Sequence, residues 1–349
     1  RAAMDRVLPA TLVRSDVSVA AYIRARLGGE VVDRLVEPML GGVYAGRADR
    51  LSLEATMPRI AAAARTERSL LTAAEEMSAA APRNAGPVFA TLRGGMGALP
   101  EAVAAASGAE VRTGAMVREL RRTPEGWRVR VGEEHLDADA VIVAVPAPAA
   151  SRLLQAEVPK AAAELARIEY AGMAIITLAY RRSAFARLPD SSGYLVPPVD
   201  GRPVKAATFS SLKWPHLAEA APELVILRCS VGRLGEEAVL QRDDAELVAL
   251  ATAEAAEALG AQEPPVDTRV TRWTGALPQY DVGHLDRVAR IHAAVADHPG
   301  LAVCGAAYDG IGIPACIATA RTAATRILEH LASGTAAIHA SAIEQGEGR

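Results

Sequence analysis

Hydrophobic and polar positions repeat with two different periods along this chain. Over residues 1–80 the apolar positions recur at helical spacing, with Gly28 and Gly29 interrupting the repeat and Ser52 placed to cap a helix. Further along, short stretches alternate apolar and polar positions, as half-buried strands do, around a turn signal at 123–126. The chain is therefore expected to begin with helices and to continue with strand-rich regions.

The rest of the pattern predicts strands and helices in mixed order. The run "AVIVAVP" at 140–146 is continuously apolar, which indicates a strand covered on both faces. The other predicted elements are a strand, a glycine turn and a short helix within 88–108, a helix over 147–166, strands within 170–231, a helix over 243–259, strands at 268–273 and 301–305, a helix near 286–296, and a helix from about 314 to 333 with Gly334 as its C-cap. This succession predicts an α/β fold of the mixed α+β kind, with a loop at 81–87.

Composition and charge narrow the class of protein. Hydrophobic residues make up 50% of the 349 positions and charged residues 23%, as in an ordinary globular protein. The net charge of −3 gives no reason to expect a nucleic-acid partner. The three cysteines are too few for a disulfide framework and the histidines lack metal-binding spacing, so we expect no metal and a cytoplasmic location. The arginine-rich first helices are also compatible with peripheral contact with an anionic membrane.

A glycine-rich stretch, "GAAYDGIGIPACIATARTAA" at 305–324, joins an apolar strand to a helix. Its segment from Gly310 to Ala315 has the G-x-G-x-x-A spelling of a dinucleotide fingerprint, but it does not follow its strand directly, and no second strand with an acidic ribose ligand comes after it. Amides at a helix start stabilise negative charge, such as develops at the N1–C2=O edge of a reduced flavin. Two interpretations stay open here: a glycine-rich connection between buried elements, and a surface for a flat, electron-rich ring.

Four blocks of the sequence resemble the FAD-dependent protoporphyrinogen and coproporphyrinogen oxidases. They are "RLVEPMLGGVYAGRADRLSLEATMP" at 34–58, "FATLRGGMGALPEAVA" at 89–104, "RWTGALPQYDVGH" at 272–284 and "LAVCGAAYDGIGIPACIATARTAA" at 301–324. The matches keep their order over almost the whole chain, and together they are specific. The resemblance implies the flavin amine-oxidase type of fold, with a partial FAD-binding, Rossmann-like domain interleaved with a substrate-binding domain of helices and a mixed sheet.

The resemblance also implies which residues bind the cofactor and the substrate. The expected FAD-binding residues are Val117 at the adenine, Trp273 near the flavin, Gly305 at a turn, and Gly310, Ile311, Gly312 and Ile313 beside the isoalloxazine ring. A plain strand residue and an ordinary core tryptophan are the alternatives for Val117 and Trp273. Tyr194 and Lys213 are hypothesised as walls of the substrate pocket, against ordinary roles in a strand and a loop. No catalytic nucleophile is expected.

The same resemblance divides the chain by role. The expected segments are a helical substrate- or membrane-facing part at 1–88, an FAD-binding segment at 89–148, a substrate-binding sheet at 149–266, a second FAD-binding segment at 267–335 and a flexible tail at 336–349. Members of the family open with a G-x-G-x-x-G strand–turn–helix that grips the FAD pyrophosphate, and the first residues of this chain do not show it. We therefore expect the chain to be part of a longer flavoprotein and, by itself, to be colourless, poorly soluble and inactive.

The function implied by the resemblance is oxygen-dependent oxidation of a porphyrinogen to the porphyrin in haem biosynthesis. Six electrons leave the macrocycle in three hydride transfers to FAD, and molecular oxygen reoxidises the flavin with release of hydrogen peroxide. Coproporphyrinogen III is preferred over protoporphyrinogen IX, because the alanine- and arginine-rich composition is typical of GC-rich bacteria, whose soluble enzymes of this kind often take it. The alternatives are another flavin amine-oxidase superfamily member, such as a carotenoid desaturase or amine oxidase, and a non-catalytic remnant that binds porphyrin or a partner.

Overall fold

The computed structural model describes residues 2–11, 13–80 and 89–346, so the predicted loop at 81–87 and residues 347–349 of the predicted tail lie outside the described residues. The chain forms two compact units. The first unit consists of Arg1–Gly95 and Tyr170–Val282, and the second unit of Met96–Glu169 and Gly283–Arg349. Both combine helices with sheets, which confirms the predicted mixed α/β class. The division of the chain by role stays a prediction.

The first part of the chain is helical, as predicted. Its helices are α1 (Val19–Leu27), α2 (Gly29–Val31), α3 (Glu37–Tyr44), α4 (Leu53–Thr56), α5 (Pro58–Thr66) and α6 (Leu70–Ala79), with a π-helix at Val32–Val36 and a 3₁₀ turn at Ala2–Met4. The Ser52 hydroxyl accepts a hydrogen bond from the Ala55 amide at 2.9 Å, which confirms its role as an N-cap. Gly28 ends α1 with φ 99°, a conformation that favours glycine.

Beyond residue 96 helices and strands follow one another. The strands are β1 (Val117–Arg122), β2 (Trp127–Val131), β3 (Glu134–Ala138), β4 (Val141–Val143), β5 (Tyr170–Arg181), β6 (Gly193–Leu195), β7 (Val204–Phe209), β8 (Leu224–Val231), β9 (Asp267–Pro278) and β10 (Leu301–Val303). The helices are α7 (Ala98–Ser107), α8 (Ala147–Leu154), α9 (Pro159–Ala166), α10 (Ser210–Lys213), α11 (Pro215–Ala220), α12 (Asp244–Leu259), α13 (His284–Ala296) and α14 (Ile313–Gly346), with 3₁₀ turns at Arg182–Ala184, Pro198–Asp200 and Glu237–Gln241.

The sheet of the first unit is antiparallel, in the order β6-β7-β8-β5-β9. Alternate residues of β5, from Ala174 to Tyr180, are buried in the core of this unit, which also takes in Leu247 of α12. A capping box formed by Asp243 and Glu246 fixes the start of α12. The long apolar strand and the helix therefore bury each other.

A buried ion pair anchors the start of the chain to α1. The Arg26 guanidinium donates to Asp5 Oδ1 at 2.6 Å, and the two side chains are 1% and 0% exposed. Arg26 also donates to the backbone carbonyls of Asp5 and Arg68, at 2.6 and 2.7 Å. Asp5 Oδ2 accepts from the Ser69 hydroxyl at 2.6 Å and from the Leu71 amide at 2.9 Å. Burial opposes ionisation of Asp5, but the hydrogen bonds from Leu71, Ser69 and Arg26 outweigh it and lower its pKa.

Among the residues that the structure describes, the second unit holds two small sheets. Strands β1, β2 and β3 form an antiparallel meander, and β4 pairs with β10 in parallel. Trp127 of β2 is fully buried, and its indole N–H donates to the Pro299 carbonyl at 3.1 Å. Glu164 of α9 accepts two hydrogen bonds of 3.0 Å from Arg290 of α13. Helices α13 and α14 both contact β10. This strand leads into the glycine-rich stretch, and α14 follows the stretch.

Some elements differ from the sequence prediction. The helix predicted over 147–166 is two helices, because Pro159 starts α9 and has no amide with which to continue α8. Residues 89–92 are not in a strand, since they form no ladder with any strand of the described chain. Helix α14 runs through Gly334, its predicted end, to Gly346. Neighbouring alanines favour the helix there, and a single glycine costs only about 1 kcal/mol.

Candidate functional site

The glycine-rich stretch forms a loop between β10 and α14. Gly305 and Gly310 adopt φ angles of 120° and 135°, which L side chains rarely tolerate. The Gly305 amide donates to Thr319 Oγ1 of α14 at 3.1 Å and ties the end of the strand to the helix. A Cβ atom on Gly310 would lie 2.7 Å from the Cβ of Ala315, so the loop passes too close to α14 for a side chain at this position. Both glycines are therefore required by the shape of the loop.

The start of α14 presents backbone and open space. The helix begins at Ile313 with Pro314 in its first turn, as predicted, and the Cys316 amide donates to the Gly312 carbonyl at 3.0 Å. Amides earlier in the helix have no acceptor within it, because helix geometry provides none. Ile313 is 47% exposed. Among the described residues, a Cβ on Gly312 would meet only Pro314 Cδ, at 3.8 Å, and one on Gly305 would meet no atom within 4 Å.

Buried side chains support the loop. His284, the first residue of α13, is fully buried, and its Nε2 donates to the Tyr308 carbonyl at 2.9 Å, since a carbonyl can only accept. The Tyr308 side chain is buried as well, and its ring centroid lies 5.4 Å from that of His292. These contacts fix the middle of the loop. His284 and Tyr308 lie in the quoted blocks at 272–284 and 301–324, but the sequence did not indicate that they contact each other.

A cavity of about 280 Å³ lies beside the loop in the second unit. His292, Asp309 and Arg326 line it together with small residues of β10 and α14. Burial lowers the pKa of His292, and the Asp309 carboxylate, 4.0 Å from its Nε2, opposes this effect. His292 is therefore a neutral hydrogen-bonding group at neutral pH, next to the glycine loop.

Val117 and Trp273 lie in different units. Val117 starts β1 in the unit that holds the glycine loop, pairs with Val131 and is 39% exposed. Trp273 lies in β9 of the first unit, opposite Met173, and its 53% exposure excludes the role of a core tryptophan. It lines a cleft of about 670 Å³ with Tyr170, Gly172 and other residues of β5, β9 and the 237–242 segment. The assignment of Val117 and Trp273 to FAD stays a prediction.

Tyr194 and Lys213, the predicted pocket walls, make contacts within the first unit. The Tyr194 hydroxyl donates to Glu254 Oε1 at 3.4 Å, and burial, reinforced by the Glu254 charge, raises its pKa. The Lys213 ammonium lies 4.9 Å and 5.2 Å from the ring centroids of Phe89 and Trp214. These contacts are sufficient for structural roles, and the role of both residues in a substrate pocket stays a prediction.

Two of the sequence blocks meet in the first unit, at a junction that sequence reasoning missed. Gln279 is 1% exposed, and its Nε2 donates to the Tyr44 carbonyl at 2.8 Å. Ala45, which follows Tyr44 in the chain, is fully buried and has a φ of 48°. A Cβ atom on Gly46 would overlap Gln279 Oε1, so a side chain there requires the glutamine to move. The rings of Tyr44 and Tyr280 pack with centroids 5.8 Å apart. The "VYAG" and "PQY" letters of the blocks therefore serve contact between two distant segments.

The described ranges offer neither a membrane span nor a metal centre. None of their helices combines the length and the hydropathy that crossing a bilayer requires. No cluster of three or more histidine, cysteine, aspartate or glutamate side chains in these ranges has the arrangement to hold a metal ion. All cysteines of the chain, Cys229, Cys304 and Cys316, are free thiols.

Comparison with known proteins extends over nearly the whole chain. The sequence matches the family of flavin containing amine oxidoreductases over residues 2–328. Coproporphyrinogen III oxidase of Mycobacterium tuberculosis (strain ATCC 25618 / H37Rv) is 39% identical over 321 residues, covering 91% of this chain and 68% of the relative. The protein of the same name from Bacillus subtilis (strain 168) is 32% identical, covering 95% of this chain and 72% of the relative. A crystal structure from Exiguobacterium sp. 255-15, described as a proposed protoporphyrinogen oxidase, matches with a TM-score of 0.81 and 28% identity, covering 95% of this chain and 71% of that one.

Proposed function

Because the chain belongs to the family of flavin containing amine oxidoreductases, we propose that it serves the oxidation of coproporphyrinogen III to the porphyrin in haem biosynthesis. The observation that carries the proposal is the 39% identity to a curated coproporphyrinogen III oxidase over 91% of the chain. FAD is the cofactor, and molecular oxygen is the final electron acceptor, with hydrogen peroxide as the second product. The proposal includes a cytoplasmic location, with which free thiols agree.

The geometry of the glycine loop fits a flavin ring. Open space lies over Gly305 and Gly312, and a flat ring needs such a surface without side chains. Ile313, nearly half exposed at the start of α14, offers an apolar contact to the ring. Together with Gly310 and Ile311, these residues would hold the isoalloxazine, while Val117 and Trp273 are proposed to contact the cofactor elsewhere.

The start of α14 supplies the electrostatics that a reduced flavin needs. Backbone amides at a helix start carry a partial positive charge and donate hydrogen bonds without reorganising during the reaction. When bound, FAD supplies the redox chemistry by accepting hydride from the substrate. The protein's own contribution is binding and orientation. His284 and Tyr308 keep the loop backbone in place through their buried hydrogen bond, and no side chain of this chain is assigned to proton transfer.

Coproporphyrinogen is proposed over protoporphyrinogen for two reasons. The curated relatives from M. tuberculosis and B. subtilis carry the name coproporphyrinogen III oxidase. Coproporphyrinogen also bears four propionates where protoporphyrinogen bears two, so cationic side chains in the substrate-binding unit would favour it. The solved amine oxidases with this fold, such as cyclohexylamine oxidase at 18% identity, share the fold alone and give no reason to propose an amine substrate.

Oxygen consumption with three substrates tests the proposal. The 349-residue chain and the product of the whole reading frame around it are each supplied with FAD and then with coproporphyrinogen III, protoporphyrinogen IX or cyclohexylamine. From the product of the whole reading frame we expect oxygen uptake and porphyrin absorbance with coproporphyrinogen III, weaker signals with protoporphyrinogen IX and none with the amine. Oxygen uptake with the amine alone contradicts the proposal, and so does FAD binding without turnover of either porphyrinogen.

A further inference from the structure

The first unit contains a lysine that is buried without a partner. Lys205 of β7 is 2% exposed, and its Nζ has no hydrogen-bond partner among the described residues. A buried ammonium group without a hydrogen-bonded counter-ion is costly, so such groups are normally paired or neutral. Burial, followed by the charge of Arg233, lowers the pKa of Lys205 to about 8. At neutral pH Lys205 is therefore still mostly cationic.

A second buried cation acts on Lys205 through its charge. Arg233 is 5% exposed and donates to the Val196 carbonyl at 3.1 Å and to Glu236 Oε2 at 3.3 Å. The Val196 amide donates in turn to the Lys205 carbonyl at 2.8 Å, so the same residue ties both cations to the end of β6. Glu236 is the acid that faces this pair, and its side chain is 54% exposed. Two buried positive charges therefore share one half-exposed carboxylate.

The other charges in this region are already paired. A cavity of about 230 Å³ reaches Arg233 and Glu236 and is also lined by α1, α3 and the 47–49 turn. In its wall Arg24 binds Asp33 at 3.4 Å and Arg47 binds Asp49 at 3.1 Å.

Glu37 is the remaining acid among the described lining residues, and it does not replace the missing partner. Its Oε2 accepts from the Ala48 amide at 2.8 Å, and burial raises its pKa. Lys205 Nζ has no hydrogen bond to this carboxyl group. None of the acidic side chains in this region therefore forms a hydrogen bond with Lys205 Nζ.

There is space beside the Arg233 guanidinium where it faces α3. Gly41 of α3 has no side chain, and the Arg233 Nε atom would be the nearest neighbour of a Cβ there, at 3.9 Å. Pro198 and Val199 form an apolar part of the same cavity wall. A carboxylate on an aliphatic arm could place its carbons against this part and its oxygens at the guanidinium. Lys205 itself does not line this cavity, so its Nζ would have to reach the same oxygens by a change of side-chain rotamer.

We infer that Lys205 and Arg233 form an anion site that binds one carboxylate of the substrate. The site would pair an otherwise uncompensated ammonium with an oxygen anion and add charge-assisted hydrogen bonds from the guanidinium. This inference rests on the proposed function, because it takes the carboxylate to be a propionate of the porphyrinogen. It assigns substrate recognition to residues that neither the glycine loop nor the sequence blocks include.

Porphyrin binding to the chain and to a Lys205→Met variant tests the site. Coproporphyrin III and its tetramethyl ester, which lacks free carboxylates, are titrated by fluorescence, and Lys160→Met, an exposed lysine on α9, is the matched control. We expect Lys205→Met to bind coproporphyrin III about 10-fold or more weakly, as for the loss of a hydrogen bond to a charged group. Lys205→Arg, which keeps the charge, should retain part of the affinity, and Lys160→Met should bind like wild type. The ester should bind wild type and Lys205→Met equally.

Thermal melting separates recognition from a structural role. Without ligand, Lys205→Met should melt at or above the wild-type temperature, because the substitution removes a buried charge that has no partner. In 50 mM sodium propionate the wild type should gain stability relative to sodium chloride, and Lys205→Met should not. A lower melting temperature for Lys205→Met, without a propionate effect on the wild type, overturns the site in favour of a structural lysine.

The outcomes separate this inference from the proposed function. Wild-type binding of coproporphyrin III that Lys205→Met leaves unchanged overturns the anion site and leaves the proposed function standing. If the wild type binds no porphyrin, the proposed function fails, and the propionate melts decide the site alone. A propionate effect that depends on Lys205 then supports an anion site, and the absence of an effect overturns it.

Discussion

Gly310 and Gly312 are close in the loop, yet a side chain would meet different surroundings at each. Gly310 has φ 135° and no room beside Ala315, whereas Gly312 lies outside the left-handed region and has Pro314 Cδ 3.8 Å from the position of a Cβ. We therefore expect Gly312→Val to melt within about 3 °C of wild type. In the product of the whole reading frame, the flavin-to-protein ratio after gel filtration should fall, since the branched side chain occupies the space proposed for the ring.

Gly310→Ala is the matched control for this prediction. Its Cβ would clash with Ala315, and its φ of 135° is unfavourable for alanine, so the variant should lose about 1–3 kcal/mol of stability. Flavin loss in this control follows from a distorted loop and not from a blocked surface. A Gly312→Val protein that keeps its full flavin ratio would show that the ring lies elsewhere.

Lys205 also predicts how stability depends on pH. Its pKa is about 8 in the folded chain, against an ordinary value of 10.5 when unfolded, so the unfolded chain binds more protons between these two values. The free energy of unfolding should therefore rise with pH from about 8 to 10.5, by up to about 3 kcal/mol. Urea unfolding at several pH values measures the rise. Lys205→Met should lack it, and parallel curves for the two proteins would contradict the buried, unpaired state of the ammonium.

Single residues differ in how far their roles can be read from the sequence. Gly305 and Gly310 were predicted as special, because a glycine-rich turn between a strand and a helix is visible in the letters alone. Lys205 and Gln279 were not, since their importance comes from burial and from contacts with distant segments. Trp273 was given a core role as one alternative, and only its exposure of 53% excludes that role.

At the scale of elements, the contact between Arg26 of α1 and Asp5 should dominate the stability of the helical segment. Removing one partner of a buried ion pair leaves the other charge without compensation, which costs about 3–5 kcal/mol. We expect Asp5→Ala to lose a stability of this order in urea unfolding. Arg6→Ala, which removes an exposed partner of Glu75, is the control and should cost less than about 1 kcal/mol. Equal losses in the two variants would contradict the dominance of the buried pair.

Helices and strands could be predicted from the sequence where one pattern of hydrophobic positions persists along the whole segment. The apolar run of β5 and the helical repeat of α12 indicated both elements from the sequence, and in the structure the two pack against each other. The break between α8 and α9 was missed, although Pro159 marks it, since the apolar repeat resumes after the proline. The end of α14 was misplaced because a lone glycine is a weak stop among alanines. Pairing between distant segments of the chain could not be predicted, because it produces no pattern within either segment.

At the scale of the whole molecule, the two units should unfold separately on heating. Each has its own core, and small domains usually unfold as cooperative units. Calorimetry should show two transitions, and the fluorescence of Trp127, the only tryptophan of the second unit, should follow one of them in a chain with Trp214→Phe and Trp273→Phe. FAD at about 100 times its Kd should stabilise the folded protein by about 2.7 kcal/mol. A single transition that every probe reports alike would contradict this prediction.

The fit between Gly46 and Gln279 has a consequence for how this chain can evolve. A larger residue at position 46 is excluded as long as the glutamine oxygen occupies the space, and the same glutamine holds the Tyr44 carbonyl. Substitutions at the two positions are therefore epistatic. A larger residue at 46 should be tolerated better once position 279 carries a shorter side chain, and a library of double variants measures how far the effect of one change depends on the other.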